Sequence, residues 1–589
     1  MIGSRSFRES PVSGLLATLA TIRRLAVPYF RSEEKWVGRG LLAAVISLML
    51  CDVAIDVMIN WWNARFYNAL QDRNWDAFTR EIIIFAVLAG TSIVLQVYQL
   101  YLTQWLEIRW RRWMTERYLG GWLNAANHYR MQLLGDAADN PDQRIAEDIR
   151  LFIENGLPLA IRLLRSVVTI ASFIAILWAL SDEVPLTVFG VTWPIPGYLV
   201  WAALIYATVA TVITHFIGRP LVNLNFNRQR FEADFRFNLV RVRENSEQIA
   251  LLRGEQAEHA RLLDRFGAIL ANWFAIMART KKVQFFTVGA AQAAIIFPYV
   301  VVSPSYFAGH GQLGILTQTA NAFEAVRAAL SFFVDFYRDL ADWRAVVARL
   351  SGFEAAVAAA EASANTPPVI RVAADTQAAS LRAEALDVRL PNRAPLVAVD
   401  ELAIAPGDRV LVTGPTGSGK STLFRALDGI WPFGSGTVTI PRDASMRMMP
   451  QRPYFPIGSL ADAIAYPAPP GRFAPEAIRE VLAAVGLPAF GERLDEHAHW
   501  NRMLSLGEQQ RLGIARALLQ KPDFLFLDEA TASLDEPSEA AIYRLIAARL
   551  PHAAVVSIGH RSTLRAFHQR HVTVVRAGDR TQLSVTSEQ

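Results

Sequence analysis

Long apolar runs broken by charged stretches fill the first 345 residues; shorter runs that alternate in character follow. A helix needs about 20 mostly apolar residues to cross a bilayer. Five stretches qualify: 38–62 ("GRGLLAAVISLMLCDVAIDVMINWW"), 82–102, 163–180, 197–217 and 285–302. A sixth, 322–343, carries Glu324, Arg327, Asp335 and Arg338. Those charges are costly against lipid, so this helix is expected to face protein or a watery cavity.

Charge between the runs orients them. Arg5, Arg8, Arg23, Arg24, Arg31 and Lys35 precede the first run, and Arg109, Arg111, Arg112, Arg117, Arg130, Arg144 and Arg150 lie between the second and third. The links "SDEVPLTVFGVTWPIP" and "SPSYFAGHGQLGILTQ" hold no Lys or Arg. The positive-inside rule therefore places the N-terminus and the long basic loops in the cytoplasm. The stretch "SGLLATLATIRRLAVPYF" reads as an amphipathic elbow helix on the inner face. Both long loops are poor in helix breakers, so spans two to five are expected to continue as helices well below the membrane. Asp52 and Asp56 lie four apart within the first run and share one helical face. An Asp at mid-bilayer costs about 2.5–3.5 kcal/mol, so the two are expected either to pair with Arg162 or Arg165 or to form an acidic cavity wall that favours cationic cargo.

Beyond about residue 380 the chain reads as an α/β domain. "GDRVLVTGPTGSGKSTLFRAL" is strand, loop, helix, the context a phosphate-binding loop requires. The loop Gly414, Pro415, Thr416, Gly417, Ser418, Gly419, Lys420, Ser421 and Thr422 is expected to cradle the phosphates of ATP with its backbone N–H groups, Pro415 having none to give. Lys420 is expected to reach the β and γ phosphates, and the Ser421 hydroxyl to ligate Mg2+. In "FLFLDEAT", Phe524 to Leu527 form a buried strand; Asp528 is placed to hold the metal shell and Glu529 to polarise the attacking water.

Composition narrows the class. The hydrophobic content is 52% and the net charge is +5 over 589 residues, too small a charge to imply a nucleic-acid partner. Cys51 is the only cysteine, which excludes an intramolecular disulfide framework and a Cys-based zinc site. "MIGSRSFRESPVSG" has no apolar core behind a short basic region, which argues against a cleaved signal peptide.

"LSLGEQQRLGIARALL", Leu504 to Leu519, resembles the signature sequence of ABC transporter ATPases. That resemblance implies roles for Gln451 in "MMPQRPYFPIGSL" (magnesium sensing and contact with the membrane domain), Asp535 in "ASLDE" and His560 in "SIGHRS" (contact with the γ-phosphate). It also implies that Ser505, Gly507 and Glu508 of one copy face the phosphate loop of a second, hence a homodimer. Leu506 stands where the family has Gly, and "LDVRLPN" lacks the aromatic that stacks on adenine, leaving Leu390 or a neighbour to cover the base. Three further stretches, "NWWNARFYNALQDRNWDAF", "DNPDQRIAEDIRLF" and "RENSEQIALLRGEQAE", resemble the BacA/SbmA-like bacterial permeases in their ATPase-fused, YddA-type form, and the peroxisomal acyl-CoA half-transporters.

The resemblance implies an exporter-type fold of six transmembrane helices joined to a P-loop ATPase, with "RENSEQIALLRGE" as the coupling segment. The expected organisation is an N-terminal elbow segment, 1–35, a membrane domain, 36–350, a linker, 351–380, and an ATP-binding domain, 381–589. The implied function is ATP-driven transport, in a bacterial inner membrane, of peptide-like, cobalamin-like or other bulky hydrophilic solutes. Export of lipids, acyl compounds or drugs is the alternative within the class, and a regulatory ATPase without cargo is the alternative outside it.

Overall fold

The computed structural model describes residues 11–135, 140–188, 191–193, 195–309, 311–577 and 580–586. They form two units, Met1–Arg117 with Asp142–Ser351, and Tyr118–Pro141 with Gly352–Gln589.

The first unit is helical. The elbow helix Pro11–Ala26 precedes the first span helix, Lys35–Gln71. The second to fifth expected spans lie in Trp75–Leu123, Ile149–Glu183, Tyr198–Gly218 and Glu255–Phe307. Each of the five is long and apolar enough to cross a membrane. The second has 49 residues and the fifth 53. At about 1.5 Å per residue both exceed twice a hydrocarbon core of about 30 Å, so they extend beyond it as the loop composition predicts. The sixth helix is Leu313–Asn365. In it Glu324 pairs with Arg327 one turn on, which neutralises both charges. The side chains of Asp335 and Arg338 lie outside the described residues.

The stretch "NWWNARFYNALQ" holds the first helix to the sixth. A helix start leaves backbone N–H groups without intrahelical partners. Here Gln71 Oε1 accepts from the Leu313 N–H at 2.7 Å and Asn68 Oδ1 from the Gly314 N–H at 2.8 Å. Further along, Asn60 Nδ2 donates to the Gln318 carbonyl. A Cβ on Gly314 would lie 2.1 Å from the Ala64 carbonyl oxygen, so only glycine allows this approach. In "DNPDQRIAEDIRLF", Asp139 lies outside the described residues, and Arg144–Asp148 forms a π-helical turn. Asp148 is fully buried and accepts from Arg144 at 2.8 Å and Arg349 at 2.5 Å, tying this loop to the sixth helix. "RENSEQIALLRGEQAE" folds as the end of Pro220–Glu244, a short helix Ser246–Leu251, and the start of the fifth span helix at Glu255.

The second unit is built on a ten-stranded sheet. Its spatial order is Arg371–Asp375, Gly434–Pro441, Leu381–Arg389, Pro395–Ile404, Arg580–Thr586, Arg570–Ala577, Arg409–Thr413, Ala554–Ile558, Phe524–Asp528 and Met446–Met449. The last five strands run parallel, and the Leu381–Arg389 strand is antiparallel to both its neighbours. Within 351–380 the sixth helix runs on to Asn365 and a strand begins at Arg371, so regular structure fills much of the stretch read as a linker. Strand periodicity builds the core on both faces. Phe524 and Phe526 join the cluster with Phe424 and Leu423, while Leu525 and Leu527 join the opposite cluster with Leu512 and Ile542.

The segment between the second and third spans contributes to this unit. The second span helix stops where Ala125 and Ala126 adopt φ of 45° and 61°. A left-handed alanine costs roughly 1–2 kcal/mol, and the buried Asn127, whose side chain donates to the Gly121 carbonyl, pins the turn. The helix Asn127–Leu133 follows, and its Tyr129 and Leu133 pack against the sheet cluster that holds Phe424.

Candidate functional site

The phosphate loop leaves the end of the strand Arg409–Thr413 and enters the helix Lys420–Leu427. Gly414, Gly417 and Gly419 have φ of 151°, 77° and 89°. Close contacts also exclude a side chain at the first and last, because a Cβ there would lie 2.7 Å from the Val574 carbonyl oxygen or 2.5 Å from Val397 Cγ2. Pro415, Thr416 and Ser418 complete the turn, where the Ser418 N–H donates to the Pro415 carbonyl. Lys420 Nζ donates to the carbonyls of Gly414 and Pro415 at 2.9 and 2.8 Å. Burial pulls its ammonium below the ordinary value, and the carboxylates of Glu529 and Asp528 oppose that shift. Ser421 and Thr422 begin the helix.

Sheet geometry brings the second motif here. Phe524, Phe526 and Asp528 share one strand face, and Phe526 packs edge-to-face on Phe424 of the phosphate-loop helix at 5.0 Å. Asp528, one strand period on, accepts from Ser421 Oγ at 2.8 Å. Burial pushes its carboxyl up from the ordinary range, opposed by the Ser421 hydrogen bond. Glu529 has φ of 50°, sparsely populated for a residue with a Cβ. That turn directs its carboxylate to two more of the sequence-expected residues. Gln451 Nε2 donates to Oε2 at 3.1 Å, and His560 Nε2 lies 3.1 Å from Oε1.

The signature residues form a helix start. Ser505 caps Leu506–Gln520: its Oγ accepts from the Glu508 N–H, and its backbone N–H donates to the Glu508 carboxylate at 2.9 Å, a reciprocal capping box. Leu506 and Gly507 are its first helical residues. Asp535 caps Glu536–Arg549 by accepting from the Ser538 N–H at 3.0 Å, and hydrogen bonds from Ser538 hold its carboxyl below the ordinary range. Leu390 lies partly buried at the turn after Leu381–Arg389, while Leu396 joins Val397 against Gly419.

Gln510 escaped the sequence reading, although it lies inside the signature stretch. It is buried, donates to the Gln451 carbonyl at 3.1 Å and accepts from the Ser533 N–H at 2.9 Å. One side chain thus joins the loops of Gln451 and Asp535. Arg561, beside His560, donates to the Leu534 and Ala532 carbonyls and to Glu539. Tyr129 was missed as well; Arg425, one helical turn from Ser421, lies beside its hydroxyl.

In the first unit, Asp52 and Asp56 differ. Asp52 is fully buried; its Oδ1 accepts from Ser92 Oγ and Gln96 Nε2 at 2.8 and 3.2 Å, and its Oδ2 forms an ion pair with Arg165 Nη2 at 2.8 Å. Asp56 is 37% exposed and shares the same Arg165 nitrogen at 3.1 Å. Arg162 lies instead 3.6 Å from Asp339. Arg165 therefore pairs with both residues, and of the two Asp56 also lines a cavity.

Residues 25–307 match the family description "ABC transporter transmembrane region 2", and residues 399–532 match "ABC transporter". The chain is 33% identical over 541 residues to "Inner membrane ABC transporter ATP-binding protein YddA" of Escherichia coli, covering 91% of this chain and 94% of that one. The chain belongs to the ABC transporters. It is a half-transporter, one membrane domain with one ATPase domain, and ATP hydrolysis in the second is coupled to transport through the first. The human "Lysosomal cobalamin transporter ABCD4" is 26% identical, with 90% of each chain covered. A solved bacterial Atm1-family ABC exporter with ATP bound has the same fold at a TM-score of 0.67 and 17% identity, covering 92% of this transporter and 94% of that chain.

Proposed function

We propose that this transporter works as a homodimer in a bacterial inner membrane, with its ATPase domains in the cytoplasm, and moves bulky hydrophilic solutes, peptide-like or cobalamin-like. The observation that carries the ATPase side is the convergence of Gln451 and His560 on opposite oxygens of Glu529, the residue next to the Asp528–Ser421 pair.

In this reading the N–H groups of residues 414 and 416–422 hold the phosphates and Lys420 supplies a point charge to them. Ser421 Oγ, Asp528 and the Gln451 amide oxygen are hard donors that fit Mg2+. When bound, Mg2+ neutralises phosphate charge. Glu529 orients the attacking water and accepts its proton at a carboxylate oxygen. His560 contacts the γ-phosphate. Ser505, Gly507 and Glu508, with Asp535, face the phosphate loop of the second copy, so each ATP site needs both chains. The helix Asn127–Leu133, through Tyr129 beside Arg425, and the exposed short helix Ser246–Leu251 carry the motion to the membrane helices.

The cargo class is supported by a relative whose name records cobalamin transport and by a polar cavity among the membrane helices. Sealed vesicles of known orientation, loaded or bathed with labelled peptides and labelled cobalamin, test it. ATP-dependent movement of at least one, abolished by Glu529→Gln, is expected. Movement of neither, with lipid or acyl cargo carried instead, overturns the hydrophilic assignment.

A further inference from the structure

A cavity of about 570 Å³ opens among the first, third and sixth helices. Its lining carries one guanidinium, Arg165, and two carboxylates, Asp56 and Glu324, the second of which Arg327 already neutralises. The Arg165 guanidinium is divided, because the same nitrogen also holds the buried Asp52 behind the wall. Asp56 is therefore only partly neutralised, and more than a third of its side chain is exposed. A second feature is independent of charge. Asn60, one turn from Asp56, is 2% exposed and lines the same cavity. Its Nδ2 donates to the Gln318 carbonyl, whereas its Oδ1 has no hydrogen-bond partner among the described residues. A buried acceptor without a donor destabilises the fold until a donor arrives. The spare capacity of Asp56 and Asn60 is thus all acceptor.

We infer that this cavity is a cargo subsite for an ammonium or guanidinium group, with Asp56 as its counter-ion and Asn60 Oδ1 as a second acceptor. The inference rests on the transport reading above and names the chemistry of the cargo. A cationic N–H donor satisfies both acceptors at once, while an anionic group would meet the Asp56 carboxylate across a guanidinium that Asp52 already shares. Asp52 is a positioning residue: it fixes Arg165, and through it Asp56, without reaching the cavity.

The test uses the full-length transporter in nanodiscs and two labelled peptides that differ only in lysine against acetyl-lysine. Wild type is expected to bind the lysine peptide about tenfold or more tightly, the scale of one charge-assisted hydrogen bond. Asp56→Asn should bring the ratio of affinities close to one by weakening the lysine peptide alone, and Asp56→Glu should keep the preference. Asn63→Asp, which adds a carboxylate to the same wall, should widen it, and this variant keeps the test alive if Asp56→Asn fails to fold. Equal affinity of wild type for both peptides, equal loss of both in Asp56→Asn, no change of the ratio in Asn63→Asp, or no saturable binding of the lysine peptide overturns the subsite. Failure of the transport reading looks different: no solute of any charge then moves with ATP in sealed vesicles.

Discussion

His560 Nε2 lies 3.1 Å from Oε1 of Glu529, two residues 31 positions apart that meet because their strands, Ala554–Ile558 and Phe524–Asp528, are parallel neighbours. The carboxylate is then steadied on its other oxygen by Gln451. Glu529→Gln should leave ATP affinity within a few-fold of wild type, because the loop and Asp528 remain. Steady-state hydrolysis should fall by about 100-fold or more, within the range of general-base loss. Phosphate release measured beside nucleotide binding checks this; brisk turnover would remove Glu529 from the role of base.

Lys420→Ala should act on binding rather than on the chemical step alone. The loop N–H groups persist, but the phosphates lose a charge-assisted donor, so ATP affinity should drop by about tenfold or more. Titration with a fluorescent nucleotide reads it, and unchanged affinity would contradict the assigned contact.

Gln510→Leu keeps the helix and the volume but leaves the Gln451 carbonyl and the Ser533 N–H without their shared partner. The cost should be about 1–3 kcal/mol, and the two loops should lose protection together in hydrogen exchange. A variant in which only one loop loosens would mean that Gln510 does not join them.

Tyr129→Ala removes a side chain packed against the sheet beside Arg425. Coupling should suffer more than binding. ATP affinity should hold within about threefold, a change of some 0.7 kcal/mol, while transported solute per ATP hydrolysed falls. A proportional loss of transport and hydrolysis would place Tyr129 in stability instead.

His568 gives the ATPase domain an acid-sensitive point. It is buried, its Nδ1 donates to the Leu564 carbonyl at 2.8 Å and its Nε2 accepts from Ser557 Oγ at 2.9 Å, so the neutral ring fits. Burial depresses its pKa to about 4 from 6.5. The unfolded chain therefore binds more protons between those values, and stability should fall as pH drops from about 6.5 toward 4, by up to roughly 3 kcal/mol. Thermal midpoints across that window, compared with those of His568→Gln, measure the contribution. An equally steep acid slope in the variant would assign it to other groups.

Much was legible in the sequence because the relevant forces are local. Five apolar runs of spanning length, a phosphate loop with glycines where positive φ is needed, and an apolar strand ending in Asp-Glu each state their structure within a short window. Backbone sterics, helix periodicity and the cost of burying charge act over those distances. What Asp52 and Asp56 do was not legible. Helical spacing put both on one face, but only the packing of the second and third helices decided that Ser92, Gln96 and Arg165 would bury one and leave the other at a cavity. The links made by Gln510 and Tyr129, and the burial of Asp148 under Arg349, likewise join residues far apart in the chain. No local pattern encodes such pairings, because each depends on which elements pack together, and that is settled by the burial of the whole core.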